Sequence, residues 1–334
     1  MNLTTEYLGL QLRNPLIASA SPLNNELGTL RALEDHGAAA VVLPSLFEEQ
    51  LCAERIESER SAQLPAAGCA EAQTYFPAHA QSADGAERYL RTVQRAREAL
   101  GIPVIASLNC RRLECWQDYA RQIERAGAAA LELNLGAVPA EPERSGLEVE
   151  QACIQVLAAV RAAVHIPIAV KLAPYFSSLG ALARALCAAG ADALVLFNRF
   201  YQPDIDIRSL RLSLDIELSS SWEARLPLRW IALLHGRVSA ALGASTGVHG
   251  PDDVYKFLLA GADTVMTTSA LLRHGVPYMR ELLDGLEALL TARGLDSLEQ
   301  VRGRMSEQQL SGRQGEPRAL YVQMLRAARF VPGG

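Results

Sequence analysis

The chain holds 334 residues and 36.1 kDa, which suits one large α/β domain or two ordinary ones and allows a substantial core either way. With 49% apolar and 21% charged residues, a net charge of -5 and a pI of about 5.8, it reads as a soluble globular protein whose surface is not built for nucleic acid or an anionic membrane. Its opening residues carry no basic leader or apolar signal core, no run approaches the roughly eighteen apolar residues of a spanning helix, and the six cysteines form no C-x-x-C pair, so a cytoplasmic protein without a metal centre is expected.

Short apolar runs alternate with Ala- and Leu-rich amphipathic stretches through most of the chain, as repeated βα units require. Strands are predicted at 15–19, 39–44, 103–108, 130–134, 167–172, 193–197, 240–244 and 263–267, with helices at 27–36, 86–100, 115–126, 148–164, 178–189 and 251–260 between them. A Gly-Ala pair precedes several strands, at Gly37-Ala38, Gly127-Ala128, Gly190-Ala191 and Gly261-Ala262, where a helix C-cap leads into an αβ turn. Eight strands close a barrel, so the expected fold is a single-domain (β/α)8 TIM barrel. Such a barrel takes about 250 residues, and the surplus is assigned to 45–85 and 199–223, rising over the barrel mouth, and to 295–334, a helical extension.

In this fold the chemistry lies where strands end. The first strand ends at Ser19 and Ala20, the third at Asn109 and Cys110, the fourth at Asn134 and the sixth at Asn198 and Arg199. The fifth is the most informative, because Lys171 sits in the apolar run Ile168 to Phe176, and an ammonium there is costly without an anionic partner, either a neighbouring carboxylate or a ligand. Strands seven and eight end in Ser245-Thr246-Gly247-Val248 and Thr268-Ser269, which suit donors gathered around a phosphate. A phosphate site beside a lysine fits FMN lying across the mouth, the ammonium stabilising charge that develops near flavin N1 and O2; a Schiff-base aldolase lysine is the alternative.

The motifs Asn14-Pro15, Ala18-Ser19-Ala20, Leu133-Asn134-Leu135, Val170 to Phe176, Phe197-Asn198 and Ser245-Thr246-Gly247-Val248 resemble the class 1 dihydroorotate dehydrogenase family. Val42 to Gln50 and Phe197 to Asp204 resemble its dihydroorotate dehydrogenase-like branch more narrowly. The resemblance implies an FMN-dependent oxidoreductase acting on a CH–CH bond, the family reaction being dihydroorotate to orotate in pyrimidine biosynthesis, in a barrel that is often a homodimer. It further implies that Lys171 contacts the flavin, that Asn134 and Asn198 face flavin or substrate, that Thr246-Gly247 and Thr268-Ser269 hold the phosphate, and that Ser19 and Ala20 line the flavin from below.

Two positions depart from the family pattern. Where the family carries its Cys or Ser base this chain has Ala137, and where it carries a strand-two lysine this chain has Pro44. A third segment, Tyr75-Phe76-Pro77, offers aromatic surface in place of an asparagine. These departures leave open a different small planar or cyclic substrate, or a catalytically impaired flavin-binding barrel that acts as a partner or regulatory protein. Cys110 and Tyr175 are the candidates to move a proton in place of Ala137, the alternatives being a buried inert thiol for Cys110 and packing against the flavin edge for Tyr175, and Arg199 is a candidate to hold an anionic substrate or to form an exposed salt bridge. His235, His249 and His274 show no metal-like spacing and are read as surface or loop residues. The electron acceptor is not indicated.

Overall fold

The computed structural model describes residues 1–49, 85–135, 139–199, 202–213 and 215–310, with 322, 325 and 326. Eight strands, β1 (Leu16–Ala18), β2 (Ala40–Phe47), β3 (Val104–Asn109), β4 (Ala130–Leu135), β5 (Ile168–Leu172), β6 (Ala193–Leu196), β7 (Ala241–Ala244) and β8 (Thr264–Thr267), close into a barrel in chain order. Every neighbouring pair is parallel, including β8 with β1. The fold is therefore the expected (β/α)8 barrel. Strands buried on both faces read as continuous apolar runs, which is why all eight stood out in the sequence.

The helices α1 (Leu27–Asp35), α2 (Gly85–Ala99), α3 (Leu113–Arg125), α4 (Gly146–Arg161), α5 (Leu179–Ala188), α6 (Arg225–Leu234) and α7 (Pro251–Ala260) follow β1 to β7, while α8 (Ser269–His274) and α9 (Tyr278–Thr291) follow β8. Each barrel helix covers the strands with an apolar stripe. In α3 the stripe is Trp116, Ala120 and Ile123, spaced four and three residues apart. Helix α4 starts on a reciprocal cap in which the Ser145 hydroxyl accepts from the Glu148 N–H and the Glu148 carboxylate accepts from the Ser145 N–H. The four predicted Gly-Ala turns all place glycine in the left-handed region, with φ between +88° and +117°.

Two layers make the core. Outward-facing residues such as Leu16, Val41, Leu131, Val170 and Leu194 pack against the helices, whereas Ala40, Ala130, Ala169 and Ala193 face the axis. These small side chains leave room for a plug. An N-terminal hairpin, Thr5–Tyr7 paired with Leu10–Leu12, inserts Tyr7, Leu8 and Leu12 among them and fills the lower barrel. A Cβ on Gly243 would lie 3.1 Å from Met266 Cε and 3.2 Å from the Tyr7 hydroxyl, so a side chain there would have to push both neighbours aside.

The segment after β6 carries a second hairpin, Asp204–Asp206 with Arg211–Ser213. In the described part of the C-terminal extension, residues 295–310 fold back, with Ser297 bridged to Asn2 and the Gly303 and Met305 N–H groups donating to Leu258 and Leu259; Leu298–Gln300 is a 3-10 helix, and Glu307–Leu310 and residues 322, 325 and 326 are α-helical. Most of 311–334, and 50–84 of the first insertion, lie outside the described residues. Among the described residues no helix is long and apolar enough to cross a membrane.

Candidate active site at the barrel mouth

Lys171 has the neighbouring carboxylate that the sequence left as one alternative, and the residue is Glu132, which the strand ends did not point to. Its ammonium lies 3.6 Å from Oε1 of Glu132, one strand away on β4, and both side chains are buried. Period-two alternation puts Glu132 on the same inward face as Asn134, so an acid between Leu131 and Leu133 was the available signal. The same ammonium donates to Ser19 Oγ at 3.3 Å, and it lines the cavity at the mouth.

From Glu132 the polar contacts run on around the barrel. Ser107 Oγ donates to Glu132 Oε1 (3.3 Å) and shares a hydrogen bond with Ser45 Oγ (2.7 Å); Asn134 Nδ2 donates to Ser45 Oγ (3.4 Å) and Asn198 Nδ2 to Asn134 Oδ1 (2.9 Å). Pro44 has a local cause for its tolerance here. The β2–β3 register slips between Val42 and Ser45, and a residue without an N–H is accommodated at such an irregularity. Beyond it the chain has the Ser45 hydroxyl meeting Ser107.

A cavity of about 410 Å³ opens above this network, within the size range of cofactor sites. Ser19, Ala20, Lys171, Asn198, Ser245, Thr246, Gly247, Thr268 and Ser269 all line it, together with Ile216, Leu218 and Ser219 from the segment after β6. Thr246 and Gly247 both take φ of +78°, and a Cβ on Gly247 would stand 2.3 Å from the Ala224 backbone nitrogen, so position 247 accepts only glycine. The two threonine hydroxyls are spent within the protein: Thr246 Oγ1 donates to the Phe197 carbonyl (3.0 Å) and Thr268 Oγ1 to the Ser19 carbonyl (3.3 Å). They fix the loops, which leaves serine hydroxyls and backbone N–H groups as the donors facing the cavity.

Other candidates separate from this group. Asn109 ends β3 opposite Phe47, and neither it nor Cys110 lines the cavity. Burial, reinforced by the Glu48 carboxylate, pushes the Cys110 thiol well above its ordinary range, which argues against a proton-accepting role. Glu48 itself ties the ends of β2 and β3. Burial alone would raise its pKa, yet the Arg111 and Arg112 N–H groups and the Arg112 guanidinium bind the carboxylate and hold it at about 2. Tyr175 is 63% exposed and lines an adjoining cavity of about 330 Å³ with Asn198 and Arg199. Arg199 forms the salt bridge that sequence left as an alternative, with Nε 2.9 Å from Glu223. His249 is no bystander, because its Nε2 stands 3.0 Å from Ser219 Oγ. Ala137 and Tyr75-Phe76-Pro77 lie outside the described residues.

Residues 77–290 match the family model described as dihydroorotate dehydrogenase. A protein of Aeropyrum pernix, named for dihydroorotate dehydrogenase A (fumarate), is 30% identical over 203 residues, which cover 59% of this chain and 65%, just under two thirds, of that protein. Catalytic subunits of dihydroorotate dehydrogenase B (NAD(+)) are similar over longer stretches. That of Thermoplasma acidophilum is 24% identical over 86% of this chain and 94% of its own length, and that of Thermoplasma volcanium 27% identical over 84% and 91%.

Proposed function

The chain belongs to the dihydroorotate dehydrogenase family, and from that premise we propose that it is an FMN-dependent oxidoreductase acting on a CH–CH bond of a small planar or cyclic substrate. One observation carries the reading: the buried ammonium of Lys171 lines a cavity that the Thr246-Gly247 turn, Ser219 and Ser269 also line. That donor set fits a flavin mononucleotide, with a cation for the charge of the reduced ring and neutral hydrogen-bond donors for a phosphate. When bound, FMN supplies the acceptor for a hydride.

The side chains then have distinct tasks. Lys171, paired with Glu132 and Ser19, is a fixed cation that would stabilise the negative charge of a reduced flavin without reorganisation. Asn198 lines the cavity and presents its amide to flavin or substrate, while Asn134, expected to do the same, does not line it; Asn134 accepts from Asn198 and donates to Ser45, which holds the Asn198 amide in place. Ser19 and Ala20 form a floor small enough for a flat ring. Tyr175, exposed in the adjoining cavity, is the candidate to exchange a proton with substrate, and Arg199 meets substrate only if Glu223 releases it.

The test is direct. The purified chain is expected to be yellow, and K171M to hold FMN more weakly; a colourless chain that takes up no added FMN sinks the reading. Anaerobic addition of dihydroorotate, and then of other dihydropyrimidines, is expected to bleach the flavin with one of them. Bound flavin that none of them bleaches favours the impaired barrel, for which the sequence feature is Ala137.

A further inference from the structure

Ser219 belongs to the segment after β6, is almost fully buried, and still lines the mouth cavity. Its N–H donates to Ser269 Oγ (3.2 Å), and its own Oγ lies 3.0 Å from His249 Nε2. The other imidazole nitrogen, Nδ1, lies 3.3 Å from Nη1 of Arg273. A guanidinium only donates, so Nδ1 must accept, and a neutral imidazole that accepts at Nδ1 carries its proton on Nε2. His249 therefore donates to Ser219. Each hydroxyl oxygen, Ser219 and Ser269, has thus received a protein N–H, and neither hydroxyl proton has an acceptor among the described residues. That distinguishes them from Thr246 and Thr268 in the same cavity, whose protons are given to carbonyls.

The surroundings hold this arrangement in place. Arg273 also donates to the Leu218 carbonyl (3.2 Å), and Tyr278 donates to the His249 carbonyl (2.9 Å). Asp253 Oδ2 is occupied by the His249 and Gly250 N–H groups and the Ser221 hydroxyl, so the nearby carboxylate is absorbed by its own loop. We infer that Ser219 and Ser269 form a paired hydroxyl clamp for a phosphate monoester in this cavity. His249 is the positioning residue that directs the Ser219 proton, and Arg273 fixes the tautomer of His249. The clamp rests on the flavin reading for its ligand, but it concerns only the phosphate end.

The experiment compares FMN with riboflavin, which lacks the phosphate, by flavin fluorescence quenching on the full chain. S219A is expected to weaken FMN by about tenfold, the effect of losing one hydrogen bond to a charged group, and to leave riboflavin within about twofold. H249A is expected to weaken FMN and to add little to S219A, whereas H249Q, whose amide can donate to Ser219 and accept from Arg273, retains affinity. Equal weakening of both flavins by S219A, or none for FMN, overturns the clamp, and additive losses from H249A and S219A overturn the positioning role. If neither flavin binds the unsubstituted chain, the flavin reading has failed on its own. Inorganic phosphate then decides the clamp: protection against thermal unfolding in the unsubstituted chain but not in S219A upholds it, and no protection in either overturns it.

Discussion

Replacing Glu132 by glutamine removes the charge beneath Lys171 while keeping the volume and an acceptor for Ser107 Oγ. At 3.6 Å and an effective dielectric near 20, the lost attraction is about 5 kcal/mol, consistent with the roughly 3–5 kcal/mol that breaking one side of a buried ion pair costs. For 334 residues the unfolding entropy is about 0.7 kcal/mol/K, so E132Q is expected to lower Tm by about 4–7 °C in a thermal scan. Removing both charges is a different perturbation. The double variant E132Q/K171M leaves no uncompensated ion and is expected to recover most of the loss. A fall of less than about 1 °C for E132Q, or a double variant whose loss equals the sum of the two single ones, would refute the claim that the pair is coupled and buried.

The Tyr7 hydroxyl has no partner among the described residues, so Y7F is expected to gain about 1–3 kcal/mol, or about 1–4 °C in Tm, and a lower Tm would count against the orphaned hydroxyl. Gly247→Ala forces a Cβ against the Ala224 backbone at a left-handed φ, so the chain should lose flavin, read as the ratio of flavin to protein absorbance; full retention would contradict the cradle. Glu48 has a folded pKa of about 2, below its ordinary value, so its contribution is complete above about pH 4.5 and is lost as pH falls towards 2. E48Q should therefore flatten the acid limb of stability against pH in that window, and an unchanged limb would show that Glu48 is not among its causes.

The barrel was legible because each strand is an apolar run and because glycine ends the preceding helices at Gly37, Gly127, Gly190 and Gly261. The N-terminal hairpin was not, since its turn at Leu8-Gly9 lacks the usual Asn-Gly signal and its place is set by the cavity that Ala40, Ala130 and Ala169 leave. In the site, residues at strand ends could be read in order, which brought Lys171, Asn198, Gly247 and Ser269 to one cavity. Glu132 escaped because it lies inside a strand, where only alternation marks it. Ser219 and His249 escaped for another reason: their roles depend on partners 30 and 24 positions away, across segments with no periodicity of their own.

The polar contacts under the mouth draw on Ser45, Ser107, Glu132, Asn134, Lys171 and Asn198, and they return to Ser19 across 152 positions of chain. Successive strands can assemble most of that set as they join, but the Lys171 to Ser19 contact spans the mouth from the first strand to the fifth. Loop closure over so long a span makes it a late event in folding. The charged floor of the pocket is thus a record of topology: a chain cut between β4 and β5 would separate Glu132 from Lys171, and neither half could carry the site alone.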